Sequence, residues 1–429
     1  MQYESGTPGR RRSSRSRGGL AVLGDDPAFD RPRHVGRPNI GDRDKLMARI
    51  EGVLDRNWLT NGGPLVEEFE GEVAAVSGVR HAIATCNGTL ALEIAISAAG
   101  LAGEVITTPF TFVATAHALR RLGITPVFCD VDPVTHNIDP AQVERLVTPR
   151  TTGILGVHLW GRPCAVDELT DIADRHGLRL LFDASHALAC SSGGRMIGGF
   201  GAAETFSFHA TKFVNSFEGG AIVTDDDALA ERARLIRNFG FADYDQVRAL
   251  GTNGKMAEVA AAMGLTSLES RDRFTAVNHQ NHAAYRTGLA GVQGIEVVPY
   301  DDEELTTRQY VVVEVDETAG LSRDDLQEVL WAENVLARRY FYPGCHRVEP
   351  YVTEQDEQRL LMPATDRLAH RLLTLPTGTG VDATDIDVIA GIIERAVELG
   401  PLLASALPRR QPAPTPVAPM PSDGQASPE

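Results

Sequence analysis

The chain has 429 residues, with a formal net charge of -17, 43% hydrophobic and 23% charged residues, which is ordinary for a globular protein of two or three domains. The acidic balance argues against nucleic acid or an anionic membrane surface as a partner, and no apolar run reaches the roughly 18 residues of a membrane span. Five scattered cysteines without CxxC spacing, and histidines without HxxxH or HExxH spacing, indicate reduced thiols in a cytoplasmic protein without a metal site.

Both ends of the chain are predicted to be flexible. We assign residues 1–36 to an N-terminal tail and arm, because "GRRRSSRSRGG" is rich in Arg, Ser and Gly, and the "LAVL" that follows is too short for an export signal. Residues 401–429 include "PRRQPAPTPVAPMPSDGQASPE", and this Pro, Ala and Ser content predicts disorder.

Residues 37–291 are predicted to form a large domain. "HAIATC", which begins at His81, has the pattern of a buried strand, and "TLALEIAISAAGL" after it that of a helix packed on a sheet. The alternation continues through "EVITT", "FVATAHALRRLG", "TPVFCDV", "AQVERLV", "GILGVHL", "VDELTDIADRHG" and "RLLFDAS". It predicts an α/β fold with a mostly parallel central sheet covered by helices on both faces, whose ligands bind at the carboxyl ends of the strands.

Residues 292–400 are predicted to form a smaller C-terminal α/β domain. The pattern changes there to "GIEVVPY" and "YVVVEVDE", with two helical stretches, "SRDDLQEVLWAENV" and "DATDIDVIAGIIERAVEL". No internal repeat is visible.

Two loops that follow predicted strands carry candidate binding groups. In "CNGTLAL", Asn87, Gly88 and Thr89 open a helix, whose free amides are suited to a phosphate, although an ordinary helix N-cap is an equally good explanation. In "LFDASHA", Asp183 ends an apolar strand, where an acid is costly to bury without a cationic partner. Such an acid could hold the protonated nitrogen of a pyridine ring, or it could cap a helix.

The third candidate is a lysine in a chain that has only three, Lys45, Lys212 and Lys255. Lys212 lies in "FSFHATKFVNSFEGG", with no neighbouring charge before Glu218, and an uncharged environment lowers the pKa of an amine and makes it a better nucleophile. Alone, it could equally be structural. Together, a phosphate seat, a carboxylate for a ring nitrogen and an amine for an aldehyde match pyridoxal 5'-phosphate (PLP).

Longer motifs resemble one protein family. The chain is similar to the DegT/DnrJ/EryC1/StrS sugar aminotransferases over about residues 35 to 400, in the segments "RNWLTNGGPLVEEFE", "NGTLALEIA", "TPFTFVATAHAL", "DVDPVTHNIDP", "GVHLWGRP", "FDASHAL", "SFHATKFVNSFEGGAIVTDD" and "GTNGKMAEVAAAMG". The resemblance implies a fold-type I PLP-dependent transferase, related in fold to aspartate aminotransferase.

The resemblance also implies roles for individual residues. Lys212 would bind the cofactor covalently and later move the proton between cofactor and substrate carbons, and Asp183 would pair with the ring nitrogen. His186 would contact the phenolic oxygen, and Phe112 would stack on the ring. A satisfied polar residue in a turn is the alternative for His186, and a plain core aromatic is the alternative for Phe112.

For the phosphate, the resemblance implies Gly88, Thr89 and Ser207. Asn253 matches an asparagine that relatives supply from the neighbouring subunit, which implies a homodimer with shared active sites. Gly254 and Lys255 depart from the bulky residue and Arg that relatives usually carry there, so the shape of this loop is in doubt.

One segment, "ARRYFYPGCH", resembles the branch of the family that acts at C4 of thymidine-diphosphate 4-keto-6-deoxyhexoses. Three residues of it could line the sugar pocket, namely Tyr340, Tyr342 and His346. A Tyr-rich strand that packs on the small domain is an equally good explanation.

These resemblances predict transfer of an amino group from L-glutamate, through the pyridoxamine form (PMP), to dTDP-4-keto-6-deoxy-D-glucose for a glycosylated natural product. A C3-keto-sugar aminotransferase is the first alternative, and a PMP-dependent dehydratase is disfavoured because it has His in place of Lys212. An NAD-dependent sugar oxidoreductase should show GxGxxG after its first strand, which is missing after "HAIATC". A regulatory relative without turnover is disfavoured by the Lys, Asp and Ser set.

Overall fold

A computed structural model describes residues 19–354 and 360–407 of the chain. The helices are α1 (Arg43–Arg56), α2 (Pro64–Ser77), α3 (Gly88–Ala98), α4 (Ala114–Arg121), α5 (Pro140–Leu146), α6 (Val166–His176), α7 (Asp227–Arg237), α8 (Glu258–Glu269), α9 (Arg271–Gly288), α10 (Arg323–Ala332), α11 (Tyr351–Glu354), α12 (Pro363–Arg371), α13 (Ala383–Glu398) and α14 (Gly400–Ala406). The strands are β1 (Arg33–His34), β2 (His81–Thr85), β3 (Glu104–Thr107), β4 (Thr125–Phe128), β5 (Thr151–Val157), β6 (Arg179–Asp183), β7 (Ser191–Ser192), β8 (Arg195–Met196), β9 (Ala203–Ser207), β10 (Gly220–Thr224), β11 (Phe241–Asp243), β12 (Gln246–Val247), β13 (Ile295–Val297), β14 (Val311–Val315), β15 (Val335–Leu336) and β16 (Leu372–Leu375).

The centre of the molecule is a seven-stranded sheet in the order β2-β10-β9-β6-β5-β3-β4. Only β10 is antiparallel to both of its neighbours. The other pairs are parallel, namely β6 with β9, β5 with β6, β3 with β5 and β3 with β4. The predicted strand and helix alternation is therefore confirmed, and the carboxyl ends of β2, β5, β6 and β9 meet at one edge of the sheet.

Consecutive residues of the central strands feed two separate cores, one on each face of the sheet. Ile154 and Phe182 belong to the core beneath α1, α2 and α8, whereas Leu155 and Leu181 belong to the core that α3, α4 and α7 cover. Side chains alternate across a strand, so strands buried on both faces are apolar throughout. This burial explains why the strands were recognisable as short apolar runs.

A second, smaller sheet in the order β13-β14-β16 is antiparallel and packs with α10 and α13 around its own core. The predicted change of pattern after residue 291 falls between α9 and β13, although Tyr285 and Leu289 already contribute to this second core. The edge strand β16, which pairs with β14, was not identified from the sequence.

The small domain is fixed to the large one by hydrogen bonds from buried polar groups. The Asp130 carboxylate, just after β4, accepts from the main-chain N–H groups of Ala364 and Thr365 at 2.8 Å each and from the Thr365 hydroxyl at 2.7 Å, and so caps α12. The Tyr300 hydroxyl donates to the Trp160 carbonyl at 3.0 Å. These contacts hold the small domain over the carboxyl edge of the large sheet.

Residues 19–34 differ from the expectation of a flexible tail over residues 1–36. Leu20 and Phe29 are buried in the core of the small domain, and β1 pairs in parallel with β15. Glu333 accepts hydrogen bonds from the main-chain N–H groups of Ala21 at 2.7 Å and Ala28 at 2.6 Å. The segment is ordered because the burial of two apolar side chains and the hydrogen bonds to a buried acid offset the entropic cost of ordering a stretch with Gly and Arg residues.

The C-terminal segment also differs from the predicted disorder, at its first residues. Residues 400–406 form α14, and Leu403 is fully buried, so predicted disorder from residue 401 is wrong for this helix. The predicted tails at residues 1–18 and 408–429 lie outside the described residues.

We predict that Glu333→Ala releases the N-terminal segment. Glu333 is 2% exposed, and its loss removes the two hydrogen bonds that its carboxylate accepts from the segment, at a cost of about 2 kcal/mol in the free energy of unfolding. Hydrogen exchange of residues 20–29 should accelerate, with Glu394→Ala on the exposed face of α13 as the control. Unchanged exchange in Glu333→Ala would show that the apolar contacts alone hold the segment.

Candidate active site

A cavity of about 270 Å³ lies at the carboxyl edge of the parallel strands. One wall comes from the large domain, namely the N-terminus of α3 and the segments that follow β6 and β9. The opposite wall comes from the small domain and consists of Tyr310, Tyr340 and Phe341. The cavity is therefore closed only when the two domains meet.

Lys212 lines this cavity in the loop after β9. Its Nζ donates a hydrogen bond to the Tyr310 hydroxyl at 3.2 Å. Burial lowers the pKa of Lys212 from 10.5 to about 8, while the Asp183 charge opposes the shift. Roughly a tenth of the amine is then neutral at pH 7, far more than for an exposed lysine, so Lys212 is suited to attack an aldehyde.

Asp183 is the last residue of β6, and it is 5% exposed. Its Oδ2 accepts from the Thr115 hydroxyl at 2.8 Å, and its Oδ1 accepts from the Ser185 N–H at 3.1 Å. Residues 184–190 form turns rather than a helix, so Asp183 caps no helix. A carboxylate that is fixed and buried beside a cavity is suited to a cationic ring nitrogen.

His186 is a buried, neutral histidine on the same wall. Its Nδ1 accepts a hydrogen bond from the Trp160 N–H at 3.3 Å, which assigns the ring proton to Nε2. Burial and the Lys212 charge hold the pKa of His186 well below 6.5. Its ring lies beside those of Trp160 and Phe341, each at 6.0 Å between centroids and nearly parallel to it, while the Trp160 and Phe341 rings stack on each other at 5.3 Å. His186 can therefore donate from Nε2 but carries no charge.

The N-terminus of α3 forms the end of the cavity. The Asn87 side chain caps the helix by accepting from the Leu90 N–H at 2.8 Å, so the N-cap explanation is right for Asn87, while Gly88 and Thr89 line the cavity. A Cβ on Gly88 would lie 2.9 Å from the Cβ of Ser207. Only glycine allows this close approach, which brings Ser207 and the helix amides together as an anion site.

Two predicted aromatic residues are also at the cavity. Phe112 lines it and is 59% exposed, so the plain core explanation is wrong for Phe112. Tyr340 lines the small-domain wall, with its ring stacked on Phe341 at 5.1 Å.

Three predicted residues are not brought to the cavity of this chain. Asn253 is exposed and forms a main-chain bridge with Asn238. Tyr342 packs outside the cavity beneath the Arg339 guanidinium, at 4.6 Å. His346 is fully buried, with its Nε2 2.9 Å from Asp366 Oδ1. The placement of Tyr342 and His346 in the pocket is therefore corrected, because the chain turns between Tyr340 and Tyr342 and only the first side chain faces the cavity.

Sequence reasoning missed several residues that complete the site, namely Thr115, Trp160, Tyr310 and Phe341. Tyr310 directly precedes β14 and was visible only as the first letter of an apolar run. It is 98 positions from Lys212, and nothing local to either residue indicates their contact.

Taken together, the donor groups fit PLP. The partly neutral amine is suited to the aldehyde of PLP, and the buried carboxylate is suited to its ring nitrogen. The neutral imidazole N–H can donate to its phenolic oxygen, and the helix N-terminus together with Ser207 can bind its phosphate. No group of three or more His, Cys, Asp or Glu side chains that could hold a metal ion occurs within residues 19–354 and 360–407. In the same ranges, none of the helices has the length and apolar character needed to cross a membrane.

Comparisons with known proteins agree with this site. Residues 41–394 match the DegT/DnrJ/EryC1/StrS aminotransferase family. The dTDP-4-amino-4,6-dideoxy-D-glucose transaminase of Shigella dysenteriae is 38% identical over 324 residues, which are 76% of this chain and 88% of that protein. The pleiotropic regulatory protein of Geobacillus stearothermophilus is 37% identical over 339 residues, 78% of this chain and 90% of the relative.

The crystal structure of DesI in the presence of its TDP-sugar product is 54% identical, with a TM-score of 0.87, and the match covers 90% of this chain and 98% of DesI. The chain thus belongs to the DegT/DnrJ/EryC1/StrS aminotransferase family, and it is a PLP-dependent sugar aminotransferase of fold type I. The predictions of family, fold class, enzyme class and cofactor are confirmed.

We predict that attachment of PLP to the cofactor-free protein follows the ionisation of Lys212. The amine is protonated and unreactive below its pKa, so the rate of attachment should rise with pH with a midpoint near 8 rather than 10.5. Stopped-flow absorbance measures this rate, and Lys212→Ala is the blank. A midpoint above 10 would show that the amine is solvated.

We also predict that Asp183→Asn slows turnover by on the order of 100-fold, because a neutral amide cannot stabilise a protonated ring nitrogen. Steady-state kinetics measure kcat, and thermal unfolding reports whether the fold is retained. Thr115→Val, which removes one hydrogen bond to Asp183 but keeps its charge, should have a smaller effect. A normal kcat in Asp183→Asn would make the carboxylate purely structural.

Proposed function

We propose that the chain transfers the amino group of L-glutamate to C4 of dTDP-4-keto-6-deoxy-D-glucose and forms the 4-amino-4,6-dideoxy sugar. The observation that carries the proposal is the cavity in which Lys212, Asp183 and the N-terminus of α3 meet, on a chain 54% identical to DesI. A TDP-sugar is the product with which DesI was crystallised. The Shigella dysenteriae relative is named for the same kind of sugar.

When bound, PLP supplies an aldehyde that takes up the amino group and a ring that withdraws electrons from the reacting carbon. Gly88, Thr89 and Ser207 would hold its phosphate, and Phe112 would cover its ring. Asp183 would keep the ring nitrogen protonated, because a buried carboxylate favours a positive charge beside it. His186 would donate from Nε2 to the phenolic oxygen.

Lys212 is the general acid and base in this proposal. Its Nζ would take the proton from the α-carbon of glutamate and pass it to the bound cofactor. In the second half of the reaction, it would take a proton back from the cofactor and deliver it to C4 of the sugar. A pKa of about 8 suits both directions near neutrality, since neither form of the amine is rare there. Positioning in a closed cavity lowers the entropic cost of each transfer.

The sugar would bind against the small-domain wall, where Tyr340 and Phe341 present aromatic faces. Asn253 lies away from this cavity in its own chain, which fits a homodimer in which the partner subunit's Asn253 completes the site. We place the product in amino-sugar biosynthesis for a glycosylated natural product, in the cytoplasm.

We predict that L-glutamate bleaches the visible absorbance band of the lysine-bound cofactor and that dTDP-4-keto-6-deoxy-D-glucose restores it. Lys212→Ala should lose both changes, whereas Lys45→Ala, which replaces a lysine with 60% of its side chain exposed, should keep them. Absorbance titration of the purified protein measures both halves of the reaction.

The arms of this experiment separate the alternatives. Bleaching without recovery on this sugar, but with recovery on a 3-keto isomer, would favour a C3 aminotransferase. Turnover that persists in Lys212→Ala would overturn the assignment of the catalytic amine.

A further inference from the structure

Tyr310 is the only residue that contacts the Lys212 amine through a hydrogen bond among the described residues. Its hydroxyl oxygen lies 3.2 Å from Lys212 Nζ, and Tyr310 itself is 8% exposed. Lys212 belongs to the large domain and Tyr310 to the small domain, so the contact joins the two across the cavity.

The Tyr310 ring is held in place from several sides. It packs edge-on against Trp160 at 5.3 Å and tilted against His186 at 4.7 Å. Its main-chain carbonyl accepts from the Tyr300 hydroxyl at 2.9 Å. The preceding residue, Gln309, donates from its side chain to the His186 carbonyl at 2.7 Å. A phenol fixed in this way offers its oxygen at one defined point.

The Tyr310 hydroxyl is also uncharged near neutral pH. Burial raises the pKa of Tyr310 well above 10, and the nearby Tyr340, Tyr300 and Asp183 add to this shift. The contact is therefore a hydrogen bond rather than an ion pair.

We propose that Tyr310 is a positioning residue for Lys212, which holds the ε-amine in place while that amine is not attached to the cofactor. The inference rests on the proposed role of Lys212 as the proton carrier. While Lys212 is not attached to a cofactor, its amine would have to stay within reach of the reacting carbon in order to move a proton. A flexible four-carbon side chain does so only if something fixes its end, and the Tyr310 hydroxyl is placed to do this.

The other ionisable groups at the cavity do not replace this contact. His186 is neutral, Asp183 is engaged by Thr115 and Ser185, and His209 and Glu218 pair with each other at 3.5 Å. Tyr340 lies on the same wall as Tyr310. Of these groups, Asp183 acts on the pKa of Lys212 through its charge rather than through a hydrogen bond.

Tyr310→Phe tests the proposal, because it removes one oxygen and leaves the ring. The matched control is Tyr285→Phe, which also removes a buried phenolic hydroxyl of the small-domain core, one that donates to the Pro376 carbonyl at 2.9 Å rather than to Lys212 or to a residue that holds Tyr310. Thermal unfolding should show that both variants fold. If Tyr310→Phe does not fold, a fluorinated tyrosine at position 310 weakens the oxygen as an acceptor without removing it.

The first readout is the ionisation of Lys212 in the cofactor-free protein. Since the chain has three lysines, ε-¹³C-lysine labelling gives three signals, which Lys45→Arg and Lys255→Arg assign. The oxygen accepts from the amine and so stabilises its charged form, and Tyr310→Phe should therefore move the titration of Lys212 below its value in the unsubstituted protein. Tyr285→Phe should leave this titration unchanged.

The second readout is kinetic. In Tyr310→Phe, single-turnover rates of both half-reactions should fall roughly tenfold, while KM for L-glutamate should change little, because substrate contacts remain. Unchanged Lys212 titration together with unchanged rates would overturn the inference, and equal effects in both variants would reduce Tyr310 to a packing residue. The proposed function would fail differently, through turnover that persists in Lys212→Ala.

Discussion

The site depends on the burial of a carboxylate and an amine in one cavity. Asp183 favours the charged form of Lys212, whereas burial favours the neutral form, and burial prevails, so that the pKa of Lys212 falls to about 8. Asp183 keeps its position through hydrogen bonds to Thr115 and Ser185 rather than through the lysine. This arrangement leaves the carboxylate available for a cationic ring and the amine available for chemistry, which a closed ion pair between them would prevent.

The sheet explains why these groups meet at all. The loops that follow parallel strands lie at the same edge of the sheet. Because β6 and β9 are neighbours in the sheet, the residues that follow them lie close together although they are distant in sequence. The glycine at the start of α3 then permits the helix N-terminus to approach Ser207 closely. The residues that we propose for the cofactor phosphate and for the ring nitrogen are consequently parts of one layer.

The small domain forms the second wall of the cavity and places the Tyr310 hydroxyl beside the Lys212 amine. Asp130 caps α12, Tyr300 donates to Trp160, and Gln309 donates to the His186 carbonyl, so that wall is fixed by several hydrogen bonds. The N-terminal segment packs on the far core of the same domain through Leu20 and Phe29. Buried polar groups thus help to hold the two domains in one relative position.

The sequence by itself determined the mostly parallel sheet, the family and most of the residues that line the cavity, because strands buried on both faces leave short apolar runs. Asp183 and Ser207 end such runs, and Gly88 and Lys212 follow them within a few residues. Only the tertiary structure decided what reaches the cavity from a distance. It placed Tyr310 against Lys212 and moved His346 into the interior, although local patterns gave no indication of either. The ordering of residues 19–34 was likewise decided by contacts with Glu333 and the small-domain core. Local composition reports the cost of ordering a segment, whereas the burial that offsets this cost comes from residues hundreds of positions away.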